Sequence, residues 1–385
     1  MRTGPRSASD LPSRLAVRLV FVVLGGTQGG WMARIPAIRD AVGLDTAEWG
    51  VLSTASAFGD VIALVLVTVL IGRVGNRLLS LAAATLVLAN APLLAGASTV
   101  PALVAGLALW GLSATFLATP VNALAVAVER DAGRPLMAGF HASYSCGVLA
   151  GGALGTLAAA TGTTPGAQLA WSSGVLGTLL VILAPRLPKD HPGGRPKSER
   201  RSLRHRFTPH LLVLAGVAFL GSFVEGAASQ WSSVYTADQL GEGAALGATT
   251  YTCFSVAILA GRLFGDRLPD RRTALRVCLL TLLTGVIVTL AHPSLPFALT
   301  GFVLIGLGIS CVLPAVIVLA GRQSDVPAGE AVSVVSIGQW PGFLLAGPAV
   351  GVLANATSLR VALGMLGVAA VGALVLSGRV RVPVD

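Results

Sequence analysis

Twelve apolar stretches of about 20 residues each divide this chain, and they segregate its basic residues to one side. The stretches run at 15–35, 47–71, 78–97, 101–124, 136–160 and 167–185, then at 210–233, 247–265, 273–291, 295–320, 329–352 and 358–378. A bilayer core requires about 20 apolar residues per helical span, whereas helices of soluble proteins average about a dozen. With the N-terminus placed in the cytoplasm and the loops alternating, 24 of the 27 Lys and Arg residues lie in cytoplasmic segments or at cytoplasmic helix ends. Only Arg34, Arg39 and Arg360 fall outside. Basic residues flanking spans are retained on the cytoplasmic face, so the pattern predicts helix number and orientation together. The expectation is an all-α, multi-pass protein of the bacterial plasma (inner) membrane, with both termini cytoplasmic.

Charge distribution also excludes some partners. The net charge of +10 is concentrated, with eight basic residues between Arg186 and Arg206. A basic juxtamembrane loop meets anionic lipid headgroups. No aromatic-interleaved basic patch for stacking bases accompanies it, so nucleic acid is not an expected partner. Cys146, Cys253, Cys278 and Cys311 all lie in apolar segments, without a CxxC pair or a histidine at ligand spacing, and read as small buried hydrophobes rather than metal ligands. There is no phosphate-binding Gly-Lys-Ser/Thr loop and no catalytic constellation. The sequence therefore predicts neither an ATP-driven pump nor an enzyme, and no cofactor.

The one long polar connection, 186–209, contains Pro188, Pro192, Gly193, Gly194 and Pro196 and has the composition of a linker. It divides the chain into an N-terminal six-helix bundle (1–185) and a C-terminal one (210–385). The halves echo each other. Trp31 and Trp231 lie near the outer end of the first helix of each half, and Arg73 and Arg271 follow 42 and 40 residues later. Weak internal symmetry of this kind is what a duplicated transporter shows.

Six plus six helices around a basic central loop resembles the major facilitator superfamily over nearly the whole chain. The sharpest local match is Gly261-Arg262-Leu263-Phe264-Gly265-Asp266-Arg267-Leu268-Pro269-Asp270-Arg271, similar to the superfamily's Gly…Asp-Arg cytoplasmic loop motif. The corresponding loop of the first half, Gly72-Arg73-Val74-Gly75-Asn76-Arg77, keeps glycine and basic positions but has no acid. Within the superfamily, Asn122 to Arg130, Gly133 to Met137 with Phe140-His141-Ala142, and Glu225-Gly226-Ala227 with Trp231-Ser232 resemble bacterial members related to the fucose and glucose permease branch. Ala118 and Gln230 stand where that branch often carries acids. The resemblance implies two pseudo-symmetric bundles, substrate bound between them, and gating by Arg73, Asp266, Arg267, Asp270 and Arg271.

Of the 17 carboxylates only Asp60 and Glu225 lie deep within spans. An ionised carboxylate in hydrocarbon costs of order 2.5–3.5 kcal/mol, so such groups face water or a partner. Either can serve proton coupling, and either can instead bond a neighbouring helix. His141, near the cytoplasmic end of the fifth helix, titrates in a useful range or serves as a plain hydrogen-bonding group. Gln28, Trp31, Asn122, Gln230 and Trp231 offer amide and indole groups to a neutral or zwitterionic substrate, with helix–helix bonding or an interfacial belt as the alternative. Gln339 and Trp340, midway along the eleventh helix, are expected to meet Asp60. Gly147-x3-Gly151 and Gly151-x3-Gly155 permit close helix approach.

The expected function is secondary active transport of a small molecule by alternating access, coupled to protons, by a monomer. Export of a drug or metabolite competes with sugar-like uptake. A membrane ligand sensor that moves nothing is the rival from another class.

Overall fold

The computed structural model describes residues 10–133, 136–189, 207–264, 271–321 and 328–380. They are almost wholly helical: α1 (Asp10–Met32), α2 (Ile35–Val42), α3 (Thr46–Leu52), α4 (Ala55–Val74), α5 (Asn76–Ala95), α6 (Val100–Ala132), α7 (Met137–Ala160) and α8 (Pro165–Leu183), then α9 (Pro209–Val234), α10 (Gly243–Phe264), α11 (Arg271–Ala291), α12 (Leu295–Ile309), α13 (Val312–Gly321), α14 (Ala328–Ala356), α15 (Leu359–Ala362) and α16 (Gly364–Gly378). Among the described residues eleven helices are long and apolar enough to cross a membrane. The remaining predicted span, the second, corresponds to α3 and the 20-residue α4.

Helix starts follow local chemistry. Thr164 and Thr208 accept hydrogen bonds from Ala167 and Leu211 at the first turns of α8 and α9, each with proline at the next position. Asp45 and Glu48 form a reciprocal capping box on α3, and α2 stops at Gly43, whose φ of 74° suits glycine.

Three predicted spans are broken, and the last of them, 358–378, becomes α15 and α16 with Leu363 between them. The stretch 47–71 becomes α3 and α4, separated at Ser53–Thr54, and 295–320 becomes α12 and α13, separated at Ser310–Cys311. At the α3/α4 and α12/α13 breaks hydroxyls turn back onto carbonyls three residues earlier: Ser53 to Gly50 (2.9 Å), Thr54 to Val51 (2.6 Å) and Ser310 to Leu307 (2.7 Å). Such bonds compete with the helical ladder and bend it. The fourth predicted span, 101–124, runs on to Ala132. By contrast α14 stays continuous through Pro341 and Pro348.

The chain forms two compact units, residues 1–43 with 55–193, and 44–54 with 194–385. In the first, α1 packs on α7 and α8, α4 on α6, and α5 on α6 and α8. In the second, α9 packs on α14 and α16, α10 on α12, and α11 on α12 and α16. The same pairing scheme is thus built twice. Glycines allow the closest pairs. A Cβ at Gly25 or Gly29 of α1 would fall on the carbonyls of Tyr144 or Val148, and one at Gly151 of α7 on that of Gly26. On α14, Gly338 and Gly342 meet the carbonyls of Ala215 and Phe219 of α9 in the same way. With lipid as apolar as leucine, backbone proximity and dispersion hold such pairs together. Residues 44–54 belong with the second unit because α3 packs on α14, Gly50 directly against Gly351.

Candidate functional site

In the first unit Asp60, on α4, is half-buried and accepts a 2.6 Å hydrogen bond from the Thr115 hydroxyl of α6. The contact exists because the two helices touch backbone to backbone: Gly59 lies on the Ala108 carbonyl and Gly111 on that of Ser56. Gln28 of α1 accepts from the Tyr144 hydroxyl of α7 at 2.7 Å, a polar tie across the glycine-lined pair. Asn122 donates to its own helix, at the Ala118 carbonyl (2.7 Å). His141 is exposed, with its ring edge-on to Phe21 at 5.5 Å. Trp31 is buried against Trp110 at 5.6 Å between ring centroids, and its indole nitrogen has no hydrogen-bond partner.

In the second unit Glu225, on α9, forms an ion pair with Arg262 in the last turn of α10 at 3.3 Å. Arg262 also donates from Nε to the Ser310 carbonyl at 3.5 Å, at the break between α12 and α13. Three chain segments therefore converge on one guanidinium. Gln230 lies over Gly347 of α14 beside Ser53: a Cβ at Gly347 would be 2.6 Å from the glutamine oxygen and 2.7 Å from the serine hydroxyl. Trp231 is fully buried and lies against Gly351, with its indole nitrogen unpartnered. Gln339 is half-buried and Trp340 is 49% exposed.

In the sequence Arg262 stands out only as part of a loop motif. The available signal was its position two residues before the end of an apolar helix, from which a long side chain can reach along the helix to a polar partner. Thr115 was missed because a hydroxyl within a span usually bonds its own helix. Of the predicted gating residues, Asp266, Arg267 and Asp270 and the side chains of Arg73 and Arg271 lie outside the described residues. Arg73 is in the last turn of α4, and Arg271 opens α11.

Several of the described arginines share a task. Arg77, second residue of α5, donates to the Ala184 and Pro185 carbonyls past the end of α8 (3.2 and 3.4 Å). Arg272, second residue of α11, donates to the Gly378 carbonyl at the end of α16 (3.1 Å). Of the three exceptions to the charge bias, Arg34 and Arg360 are bound likewise, whereas Arg39 has a carboxylate partner. Arg34 reaches the Thr163 carbonyl (2.7 Å) and the Gln168 side chain (3.3 Å), Arg360 bonds the last carbonyls of α11, and Arg39 pairs with Asp40 at 3.0 Å. Cations are favoured at helix C-termini, where carbonyls lack intrahelical partners. Glu129 does the opposite at a helix start, accepting from the Leu136 and Met137 backbone N–H groups at α7 (2.6 and 2.7 Å).

Two repeated helical units with polar groups buried in membrane-length helices define a membrane transporter fold. Residues 19–326 match the Major Facilitator Superfamily, and the chain belongs to that family. It is 30% identical over 365 residues to the uncharacterized transporter y4wD of Sinorhizobium fredii, covering 93% of this chain and 95% of that one. It is 27% identical over 357 residues to an uncharacterized MFS-type transporter of Yersinia pestis, covering 92% of each. Among solved structures, the nucleoside transporter NupG aligns with a TM-score of 0.68 at 13% identity over 97% of this chain and 98% of that one. FucP, in its outward conformation, aligns with a TM-score of 0.65 at 14% identity over 97% of this chain and 99% of that one. These likenesses establish the fold.

Proposed function

We propose that this chain is a proton-coupled secondary transporter that moves a small molecule across a bacterial plasma membrane by alternating access, working as a monomer among its lipids. The observation that carries the coupling is the difference between the partners of its two in-span carboxylates. Glu225 has its charge balanced by Arg262, whereas Asp60 has a hydroxyl and, among the described residues, no cation. Leaving an ionised carboxylate unbalanced in hydrocarbon costs of order 2.5–3.5 kcal/mol, and taking up a proton removes that cost. Asp60 is therefore assigned the exchange of the proton, with His141 as a relay to water. Glu225 and Arg262 form the internal charge pair that is kept or broken as the helices rearrange. Such a group drives a conformational cycle only if its two protonation states favour different conformations. Gln28, Asn122, Gln230, Gln339 and the tryptophans are assigned to substrate contact. Trp31 and Trp231, buried here, take part only in a conformation that uncovers them.

The test starts with ligand identification. Sugars, nucleosides (as for the nucleoside transporter sharing this fold), amino acids and cationic drugs are screened by thermal shift of the purified protein. Hits are then loaded into proteoliposomes under an imposed pH gradient. The expected result is accumulation that a protonophore collapses, and the gradient orientation that supports it distinguishes uptake from export. Asp60→Asn should abolish accumulation while preserving equilibrative exchange, and full accumulation by that variant would remove Asp60 from coupling. Binding without gradient-driven movement would favour the ligand-sensor reading. For orientation, single cysteines at Ser198 and Ser358, with the native four replaced, are treated with an impermeant thiol reagent on intact cells. Only the second should be labelled, and labelling at Ser198 would reverse the assigned topology.

A further inference from the structure

Glu225 and Arg262 are loosely joined for a charge pair at membrane depth. Glu225 is seventeen residues into the 26-residue α9, and Arg262 lies in the last turn of α10. Nη2 of the arginine stands 3.3 Å from Oε1 of the glutamate, whereas a tight charged hydrogen bond of this kind spans about 2.7–2.9 Å. Neither side chain is sealed: the arginine is 34% exposed and the glutamate 19%. Charged groups left exposed at such depth front water rather than hydrocarbon. The backbone around them is close-packed. A Cβ at Gly221, one turn before Glu225, would lie 3.1 Å from Val312 at the start of α13, and one at Gly261, beside Arg262, would fall on the Ser310 hydroxyl. Thus α9, α10 and the α12–α13 joint meet at this pair, and its side chains can part by rotation while the helices stay packed. The amino end of α13, where negative charge is favoured, lies at the same joint.

We propose that this pair is the recognition element for a zwitterionic substrate, a short amino-acid-like molecule whose carboxylate takes Arg262 and whose ammonium takes Glu225. The inference rests on the transporter reading and names the substrate class for it. Charge balance selects the class. A zwitterion entering the pair exchanges one ion contact for two, so every charge in the span keeps a partner. An anion that captures Arg262 strands Glu225, and a cation that captures Glu225 strands Arg262. The stranded ion then bears the cost of burial without compensation. A neutral sugar or nucleoside replaces neither ion and must bond around an intact pair. The guanidinium fork suits a carboxylate, which it holds through two parallel hydrogen bonds. A ligand that replaces the pair also biases the conformational cycle, since it stabilises only conformations in which the two side chains have parted.

The full-length protein in lipid nanodiscs is assayed by thermal shift and titration calorimetry against the common protein amino acids. Each is paired with its decarboxylated amine and its deaminated acid, and glucose and adenosine serve as neutral probes. The expected result is at least one stabilising zwitterion, bound about a hundredfold more tightly than its amine or its acid, because a site rejects an analogue that leaves its own polar group unpaired. Glu225→Gln combined with Arg262→Gln removes both charges together and strands neither; it should fold and lose the preference for the zwitterion. Arg262→Lys keeps the charge without the fork and should retain that preference at lower affinity. No stabilising amino acid, an amine or acid bound as tightly as its parent zwitterion, or an undiminished preference in the double variant would each overturn the proposal. The two readings fail separately. A sugar or nucleoside that binds and accumulates under a pH gradient overturns the zwitterion assignment and leaves proton-coupled transport standing, whereas zwitterion binding without accumulation does the reverse.

Discussion

The two units use one packing scheme and fill it with different charges, a carboxylate in one and an ion pair in the other. Gly111 of α6 rests on the Ser56 carbonyl of α4, and Gly306 of α12 rests on the Phe254 carbonyl of α10, so these are corresponding contacts. Four residues beyond each glycine stands a hydroxyl residue, Thr115 in one unit and Ser310 in the other. Thr115 donates to the carboxylate of Asp60, whereas the Ser310 carbonyl accepts from the guanidinium of Arg262. Duplication supplied equivalent polar positions next to a tight helix crossing. Divergence then gave one unit a carboxylate with no cation among the described residues and the other a neutralised pair. A repeat preserves the helix contacts because backbone proximity tolerates few substitutions, while a side chain at the edge of the crossing changes without disturbing them.

Removing one half of the charge pair should produce the largest effect separating the units. Arg262→Ala leaves Glu225 without its counter-charge. Loss of one partner from a buried pair costs about 3–5 kcal/mol, and the partial exposure of Arg262 places this case at the lower end. Thermal melts should show a marked drop that Glu225→Gln in the same chain largely restores, whereas Thr115→Val costs much less. Equal losses for Arg262→Ala and Thr115→Val would erase the contrast.

The glycine-lined pairs test whether the scheme is truly repeated. Gly29→Val in α1 and Gly342→Val in α14 each place a side chain on a partner carbonyl. Each should destabilise by about 1–3 kcal/mol, the usual cost of overpacking. A large effect in one unit and none in the other would mean that the two pairs are not equivalent.

The smallest effects concern the helix-end arginines. Arg77→Ala and Arg272→Ala each remove a cation from a helix C-terminus and should lower stability by about 0.3–1 kcal/mol, similarly in both units. Raising salt should narrow the difference from the unmutated protein, since exposed charges are screened. A deficit insensitive to salt would assign these residues to packing instead.

Membrane helices and their approximate limits were legible in the sequence, with eleven of the twelve expected spans present as long apolar helices among the described residues, because hydrocarbon imposes one requirement on every span: about 20 apolar residues with backbone polar groups satisfied internally. The close approach at Gly147, Gly151 and Gly155 was legible for a similar reason, since small residues four apart share one helix face. The breaks at Ser53 and Ser310 were not. Ser53 and Ser310 look like any polar residue in a span until it is known that their hydroxyls turn back onto their own helices. Pairing was hidden as well. Nothing in the linear order joins Glu225 to Arg262 or Asp60 to Thr115, because each pair is made by helices that meet through glycines distant in sequence. Local chemistry thus determined where helices lie and which groups are costly to bury in them; only tertiary packing decided which of those groups are balanced by a partner.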